Sequence, residues 1–291
     1  MTVAAAALPA ASIEAARGTL LDGVDELFVA ANSDLGSSVM DLAVGPALLR
    51  SVAQLHGDAR LHRGAEPQSG ARAPAIGWLR MYRPVPTVGF SRLDTRALNY
   101  SRAVAAAQAH GFEAAVRSPG GRAAAYHRSC LCFELVLPDP GRRSPVEAMS
   151  ALGELVAGVL RQLGVDARVG EVPGEYCPGR FSVNAAGVAK IVGTAGRRVR
   201  GGILLGGSII VADAGPIKAV LAEVYPALGL TVDLATVAAA ADVRCTVDNV
   251  DAMGDALLSA LAPAVQVSLA RLPDPVIAEA HSALGARPMV G

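Results

Sequence analysis

From Ser38 to His56 the apolar residues Val39, Met40, Leu42, Ala43, Ala47, Leu48, Leu49, Val52 and Leu55 recur at the spacing of a helix with one buried face, and Gly57 ends the run. The polar stretch His62-Arg63-Gly64-Ala65-Glu66-Pro67-Gln68-Ser69-Gly70 has no periodicity and predicts a surface loop. Ala75 to Tyr82 and Thr87 to Phe90 then read as strands, with Pro84 and Pro86 between them. Asp94 is placed to cap a helix through Leu98, Ala103, Val104 and Ala107 that stops at Gly111, and Phe112 to Val116 resumes strand character. After Gly120-Gly121 a long strand is expected from Tyr126 to Leu137, closed by Pro138-Asp139-Pro140-Gly141. Ser144-Pro145-Val146-Glu147 has the acceptor, first-turn proline and glutamate of a capping box, opening a helix to Leu163 with Gly164 beyond.

Lys190 to Val211 predicts paired strands joined through the Arg-rich turn Gly196-Arg197-Arg198-Val199-Arg200-Gly201-Gly202. Helical segments near Pro216 to Leu228, Asp248 to Leu261 and Pro275 to Leu284 finish the chain. Consecutive strands with unevenly spaced helices point to an α+β fold, a mixed sheet covered by helices, over a strict βαβ alternation.

Composition narrows the function classes. The 291 residues suffice for a sizeable core, expected as one domain with decorations. Lys+Arg 26 balance Asp+Glu 26, so no global field attracts nucleic acid or an anionic membrane. The 52% hydrophobic content comes largely from alanine and valine, a composition of packed elements and not of disorder. No run approaches the ~18 to 20 apolar residues of a membrane span. The opening Met1 to Leu8 lacks a basic start and reads as a frayed or helical N-terminus, so a cytoplasmic protein is expected. There the four cysteines, Cys130, Cys132, Cys177 and Cys245, would stay thiols.

Two constellations have chemical potential. Arg117-Ser118-Pro119-Gly120-Gly121-Arg122 leads to a strand carrying His127. Glycines admit close backbone approach, and arginines hold carboxylate or phosphate, although a hairpin with surface arginines explains the same residues. In Glu175-Tyr176-Cys177-Pro178-Gly179 the sulfur sits in a turn ahead of Lys190. A thiolate attacks carbonyls and passes its acyl group to an amine, and a nearby ammonium would favour that thiolate and donate to a developing oxyanion. Read from the residues alone, a lone Cys such as Cys177 is more often a small buried hydrophobe than a nucleophile. Cys130 and Cys132, at i and i+2 on one strand face, have no second ligand pair at zinc spacing and are read as packing residues, with no metal site expected.

Trp78-Leu79-Arg80 with Pro84, Thr87, Val88 and Gly89, then Arg117 with Gly120-Gly121 and His127, then Glu175 to Gly179 and Gly187-Val188-Ala189-Lys190-Ile191-Val192-Gly193, follow one another in an order that resembles the lipoate-protein ligase and octanoyltransferase family. Tyr176 to Gly193 looks most like its octanoyl amidotransferase branch. The resemblance covers about residues 35 to 235, so it implies a catalytic domain over 35–235, an N-terminal segment over 1–34 and a helical C-terminal extension over 236–291.

It also implies the fold of biotin and lipoyl ligases, a mixed, largely antiparallel sheet flanked by helices around an acyl tunnel. By position, Cys177 would carry an octanoyl or lipoyl thioester and Lys190 would contact the acyl carbonyl. Arg117, Gly120, Gly121, Arg122, His127, Gly187 and Gly193 would bind substrate. The implied partners are lipoyl carrier domains of 2-oxoacid dehydrogenases, the glycine-cleavage carrier or acyl carrier protein, with neither nucleic acid nor membrane.

An amidotransferase would need no cofactor. An ATP-dependent lipoate-protein ligase, the alternative, would need ATP and Mg, and a non-catalytic acyl-binding protein is a further reading. The chain departs from the family pattern where Pro119 replaces a serine and Arg122 a third glycine, and around Ser182 and Asn184, where an acidic or amide residue is usual. Arg197, Arg198 and Arg200 are read as meeting an acidic carrier or as a solvated turn.

Overall fold

The computed structural model describes residues 8–61, 74–139, 141 and 144–285. Its elements in chain order are α1 (Leu8–Leu21), β1 (Glu26–Ala30), α2 (Ser38–Leu61), β2 (Ile76–Tyr82), β3 (Thr87–Phe90), α3 (Tyr100–Ala109), β4 (Glu113–Val116), β5 (Ala124–Tyr126), β6 (Cys130–Asp139), α4 (Pro145–Gln162), β7 (Ala167–Val169), β8 (Val183–Ala185), β9 (Ala189–Val199), β10 (Gly201–Ile210), α5 (Gly215–Ala227), α6 (Val250–Leu261), β11 (Gln266–Leu269) and α7 (Asp274–Gly285). An eight-stranded sheet has the order β11-β1-β2-β6-β10-β9-β8-β7, and a three-stranded sheet the order β4-β3-β5. The larger sheet is parallel where β1 meets β11 and β2 and antiparallel in its other pairs. This is the expected α+β architecture with a mixed, largely antiparallel sheet.

Strand alternation divides the core. Leu79 and Met81 of β2, with Phe133, Leu135 and Leu137 of β6, pack against α1, α4 and α6. The intervening residues Trp78, Val136 and Leu204 meet α2 and α7. Beyond α2 the same sheet face is overlain by the small sheet with α3 and α5. The gap between α2 and the small sheet is where the cavity described below opens.

Arg80, fully buried on that face, ties the cover to the sheet. Its guanidinium donates to Asp41 Oδ1 (2.7 Å) and the Asp41 carbonyl (2.7 Å) of α2, to Glu134 Oε2 (3.0 Å) of β6 and to the Ser33 carbonyl (3.1 Å), and stacks 3.9 Å from the Tyr82 ring centroid. Burial pushes the Asp41 and Glu134 carboxyls up, and the adjacent Arg80 cation opposes that shift. Gly45 completes the contact, because a Cβ there would fall 2.1 Å from Glu134 Oε1.

Several sequence expectations are corrected. Helix α2 continues through Gly57 to Leu61, glycine being tolerated inside a helix at modest cost. Asp94 does not cap a long helix: its carboxylate accepts from the Ser91 amide (2.8 Å) and starts a short 3-10 turn, with α3 beginning only at Tyr100. The strand expected from Tyr126 to Leu137 is broken at His127, whose carbonyl accepts from Cys130 N (2.8 Å) and whose Nδ1 accepts from Ser129 N (3.0 Å), so the chain leaves the small sheet and enters the large one.

Only Arg200 occupies the β9–β10 turn. Arg197 and Arg198 lie within β9, Arg197 bonded to Ser118 and Arg198 paired with Asp139. The C-terminal extension is not purely helical, since β11 adds a parallel edge to β1, and the N-terminal segment supplies α1 and β1. The loop expected over 62–70 lies outside the described residues. Ser144 accepts from Glu147 N as expected, and α4 ends at Gln162 with Leu163 as its C-cap and Gly164 at positive φ. Among the described residues no helix is long and apolar enough to cross a membrane, and no group of three or more His, Cys, Asp or Glu side chains is arranged to hold a metal ion.

Candidate active site

The chain between β7 and β8 is shaped by one buried carboxylate. Glu175 Oε2 accepts from Val172 N (2.9 Å), while Oε1 accepts from Gly179 N (3.1 Å), Ser182 Oγ (2.9 Å) and Lys190 Nζ (3.0 Å). Lys190, on β9 and 1% exposed, donates also to the Tyr176 carbonyl (3.0 Å) and the Cys177 carbonyl (2.8 Å). An ammonium has three protons, and each finds an acceptor here. The Lys190–Glu175 pair therefore clamps the loop from beneath and fixes where the next side chain points.

That side chain is Cys177, held in the left-handed region at φ 42°, which is uncommon for a residue other than glycine. Its amide donates to the Tyr225 hydroxyl (2.5 Å) of α5, and that hydroxyl donates to the Ala123 carbonyl (3.0 Å). Backbone strain of this kind persists where surroundings over-determine it, as they do here from both sides. The Cys177 sulfur accepts from Arg117 Nη2 (3.3 Å) and from Arg122 N (3.3 Å), and Arg117 Nη2 donates as well to the Arg122 carbonyl (2.8 Å). A cation and a backbone amide thus stand ready to hold negative charge on the sulfur. Burial pulls the Arg117 pKa down, but Tyr126 and Cys177 pull it up by more, leaving a guanidinium cation above its ordinary value.

Gly121 is the tight spot. It sits at φ 99°, and a Cβ would lie 2.8 Å from Cys177 Sγ and 2.9 Å from Arg117 Nη2. Gly121→Ala is expected to displace the sulfur from its donors and slow alkylation of Cys177 by iodoacetamide at neutral pH by about tenfold, while costing only about 1–2 kcal/mol of stability. Peptide-mapped alkylation rates check this, and an unchanged rate would mean that the glycine loop does not set the state of the thiol.

The sulfur opens on a cavity of about 100 Å³ along the face of the large sheet. Arg117, Tyr126, Tyr176 and Lys190 surround it at the Cys177 end. Strand register then orders the floor: Gly193, Ser208, Cys132 and Tyr82 form one row, Ala195, Gly206 and Glu134 the next, and Leu204 lies in the row beyond. Leu42 and Pro46 of α2 also line it. Missing side chains at Gly193 and Gly206 deepen this channel, and its mostly apolar walls suit a hydrocarbon chain. Burial raises Tyr126 to about 12 and pushes Cys132 higher, so these two groups are protonated walls at neutral pH.

Of the residues expected to form a site, Cys177, Arg117, Lys190 and Gly193 line the cavity, Gly121 and Arg122 touch the sulfur, and Gly120 adjoins them with open space where a Cβ would stand. Lys190 donates to the loop's carbonyls and to Glu175, and the cation hydrogen-bonded to the sulfur is Arg117. His127 and Gly187 are not among the lining residues. His127 Nε2 is 2.7 Å from the Asp213 carbonyl, and Gly187, at φ 78°, turns the β8–β9 hairpin with its amide on Asn184 Oδ1 (2.8 Å). Sequence reasoning missed Glu175 as the organiser of the loop, although its place two residues before the cysteine was a usable signal. Tyr225, 48 positions away, gave none.

Residues 69–228 match the family model of the lipoyl protein ligase A/B catalytic domain. The chain is 29% identical over 144 residues to an octanoyl-[GcvH]:protein N-octanoyltransferase of Geobacillus kaustophilus, covering 49% of this chain and 50% of that protein. It is 31% identical over 144 residues to the enzyme of the same name from Exiguobacterium sibiricum, covering 50% and 52%. These matches span about half the length of the curated relatives. In structure it is similar to a lipoate-protein ligase A bound with ATP, at TM-score 0.65 and 21% identity over 91% of this chain and 95% of that one, a likeness of fold. With more than half of its residues, the whole site loop included, inside the matched region, the chain belongs to the lipoyl protein ligase A/B catalytic domain family.

Proposed function

We propose that this protein is an acyltransferase of protein lipoylation, moving an octanoyl or lipoyl group through a thioester on Cys177 to the lysine of a lipoyl carrier domain. The observation that carries this reading is the Cys177 sulfur, held by Arg117 and the Arg122 amide at the end of an apolar cavity. In the first half-reaction the Cys177 thiolate attacks the acyl carbonyl carbon of the donor, such as the acyl-lysine amide of a glycine-cleavage carrier. The tetrahedral oxyanion collapses, the C–N bond breaks, and the lysine amine leaves carrying a proton taken from solvent. In the second, the acceptor's neutral amine attacks the thioester, the C–S bond breaks, the surplus amine proton passes to solvent, and the thiolate returns to Arg117.

Once sulfur is acylated its charge is gone, and the Arg117 guanidinium and Arg122 amide are left beside the carbonyl, where oxyanion charge develops. Lys190, its protons committed, positions the loop and lines the wall next to the acyl carbonyl. The cavity takes the chain.

An ATP-dependent ligase would require the glycine loop to receive phosphate oxygens. In this chain the Arg122 amide and Arg117 are directed at sulfur, and Gly121 lies against it, which supports thioester chemistry at that loop. On this reading transfer needs neither ATP nor Mg. Incubation with an octanoylated glycine-cleavage carrier and an unmodified lipoyl domain, without nucleotide, is expected to modify the lipoyl domain. Modification from free octanoate that requires ATP and survives Cys177→Ala would overturn it.

A further inference from the structure

The segment that follows β3 carries a surface the chemistry above does not use. Arg92, Leu93, Arg96, Leu98 and Arg102 are exposed, Leu98 at 98% and Leu93 at 52%. Asp94 is the only acid between Ser91 and Arg102, and it is buried. None of the three exposed arginines makes an ion pair among the described residues. In a chain of formal net charge +0 such a patch is a local feature, not a by-product of overall charge.

The patch is wired to the site. Arg117 N donates to the Phe90 carbonyl (2.8 Å) where the segment leaves β3, and Asp94 Oδ1 lies 3.7 Å from Arg122 Nη1. Arg122 is the residue whose amide touches the Cys177 sulfur, while its side chain is 39% exposed. A partner resting on Arg92, Arg96 and Leu98 therefore also meets the outer side of the loop that holds the nucleophile. A small anion would need a concave, partly buried site, whereas these side chains are exposed. Arginines interleaved with exposed leucines suit a protein face that is acidic with an apolar contact.

We infer that Ser91–Arg102, with Arg122 at its inner edge, docks the carrier domain, and that the carrier presents an acidic face around its acylated lysine. This rests on the acyl-transfer reading above. Charge here acts on encounter and affinity and leaves the chemical step alone. The double variant Arg92→Glu/Arg96→Glu is expected to raise KM for an octanoylated glycine-cleavage carrier by about tenfold with kcat little changed, and to flatten the decline of kcat/KM with rising salt that the wild type shows.

Acylation of Cys177 by a small octanoyl thioester, S-octanoyl-N-acetylcysteamine, is expected to run at the wild-type rate in the same variant. An unchanged KM for the carrier would overturn the docking assignment. So would an equal loss with the small thioester, which would make the segment part of the site's architecture, or a wild-type protein that binds anionic vesicles through these residues and the carrier without them. Failure of the small thioester to acylate wild-type Cys177 would instead sink the acyl-transfer reading. Direct titration of the carrier onto wild type and variant then still decides the docking surface.

Discussion

Cys177→Ser is expected to abolish acyl transfer, lowering the single-turnover rate by on the order of 10⁴-fold or more, while the protein remains folded. The substitution keeps a side chain of nearly the same size that still accepts from Arg117 and the Arg122 amide, so the loop retains its partners. What it removes is the sulfur nucleophile, since a hydroxyl in the same place is a far weaker nucleophile toward an acyl carbonyl. Quenched-flow transfer assays with circular dichroism on the same samples check both halves. Transfer within tenfold of wild type would show that the sulfur is not the nucleophile.

Lys190→Met is expected to be the most destabilising single change in the site. It removes all three hydrogen bonds of the ammonium and leaves the Glu175 carboxylate buried without its cation. Breaking one partner of a buried ion pair costs about 3–5 kcal/mol, because the remaining charge is uncompensated. Glu175 keeps its Val172, Gly179 and Ser182 donors, which offset part of that cost. Urea denaturation of the single variants and of the double variant Glu175→Gln/Lys190→Met measures it. The double variant is expected to be more stable than Lys190→Met alone, since no charge is then left stranded. A loss under about 1 kcal/mol for Lys190→Met would mean that the clamp is not a structural element. Transfer should fall alongside, since the clamp sets where the sulfur points.

Much of this arrangement is legible in the sequence where the physics is local. The α4 boundaries follow from Ser144, Pro145 and Gly164 because caps and turn glycines act within a few residues. Strands β2 and β3 follow from their apolar runs and the prolines between them. Long-range placement is what the sequence conceals. Lys190 is legible as the start of paired strands, but that it would turn inward under the loop depends on Glu175 being buried beside it. The Arg-rich segment read as a turn proves to be strand because Arg198 finds Asp139 on β6, a partner 59 positions away.

β1 and β11 escape notice for a related reason. Each is short, and β1 reads as a strand only once β2 and β11 flank it. A histidine near a glycine pair suggests chemistry, and in the fold the His127 ring ties the β5–β6 corner to the Asp213 carbonyl.

The central claim is that an acyl group resides on one sulfur during transfer. The direct measurement is intact mass spectrometry of the wild-type protein, acid-quenched after mixing with octanoylated glycine-cleavage carrier in the absence of nucleotide and of acceptor, followed by peptide mapping. The account predicts one added octanoyl group, labile to hydroxylamine, on the peptide containing Cys177, discharged when an unmodified lipoyl domain is added. An unmodified protein under conditions where that lipoyl domain nonetheless becomes octanoylated would contradict it.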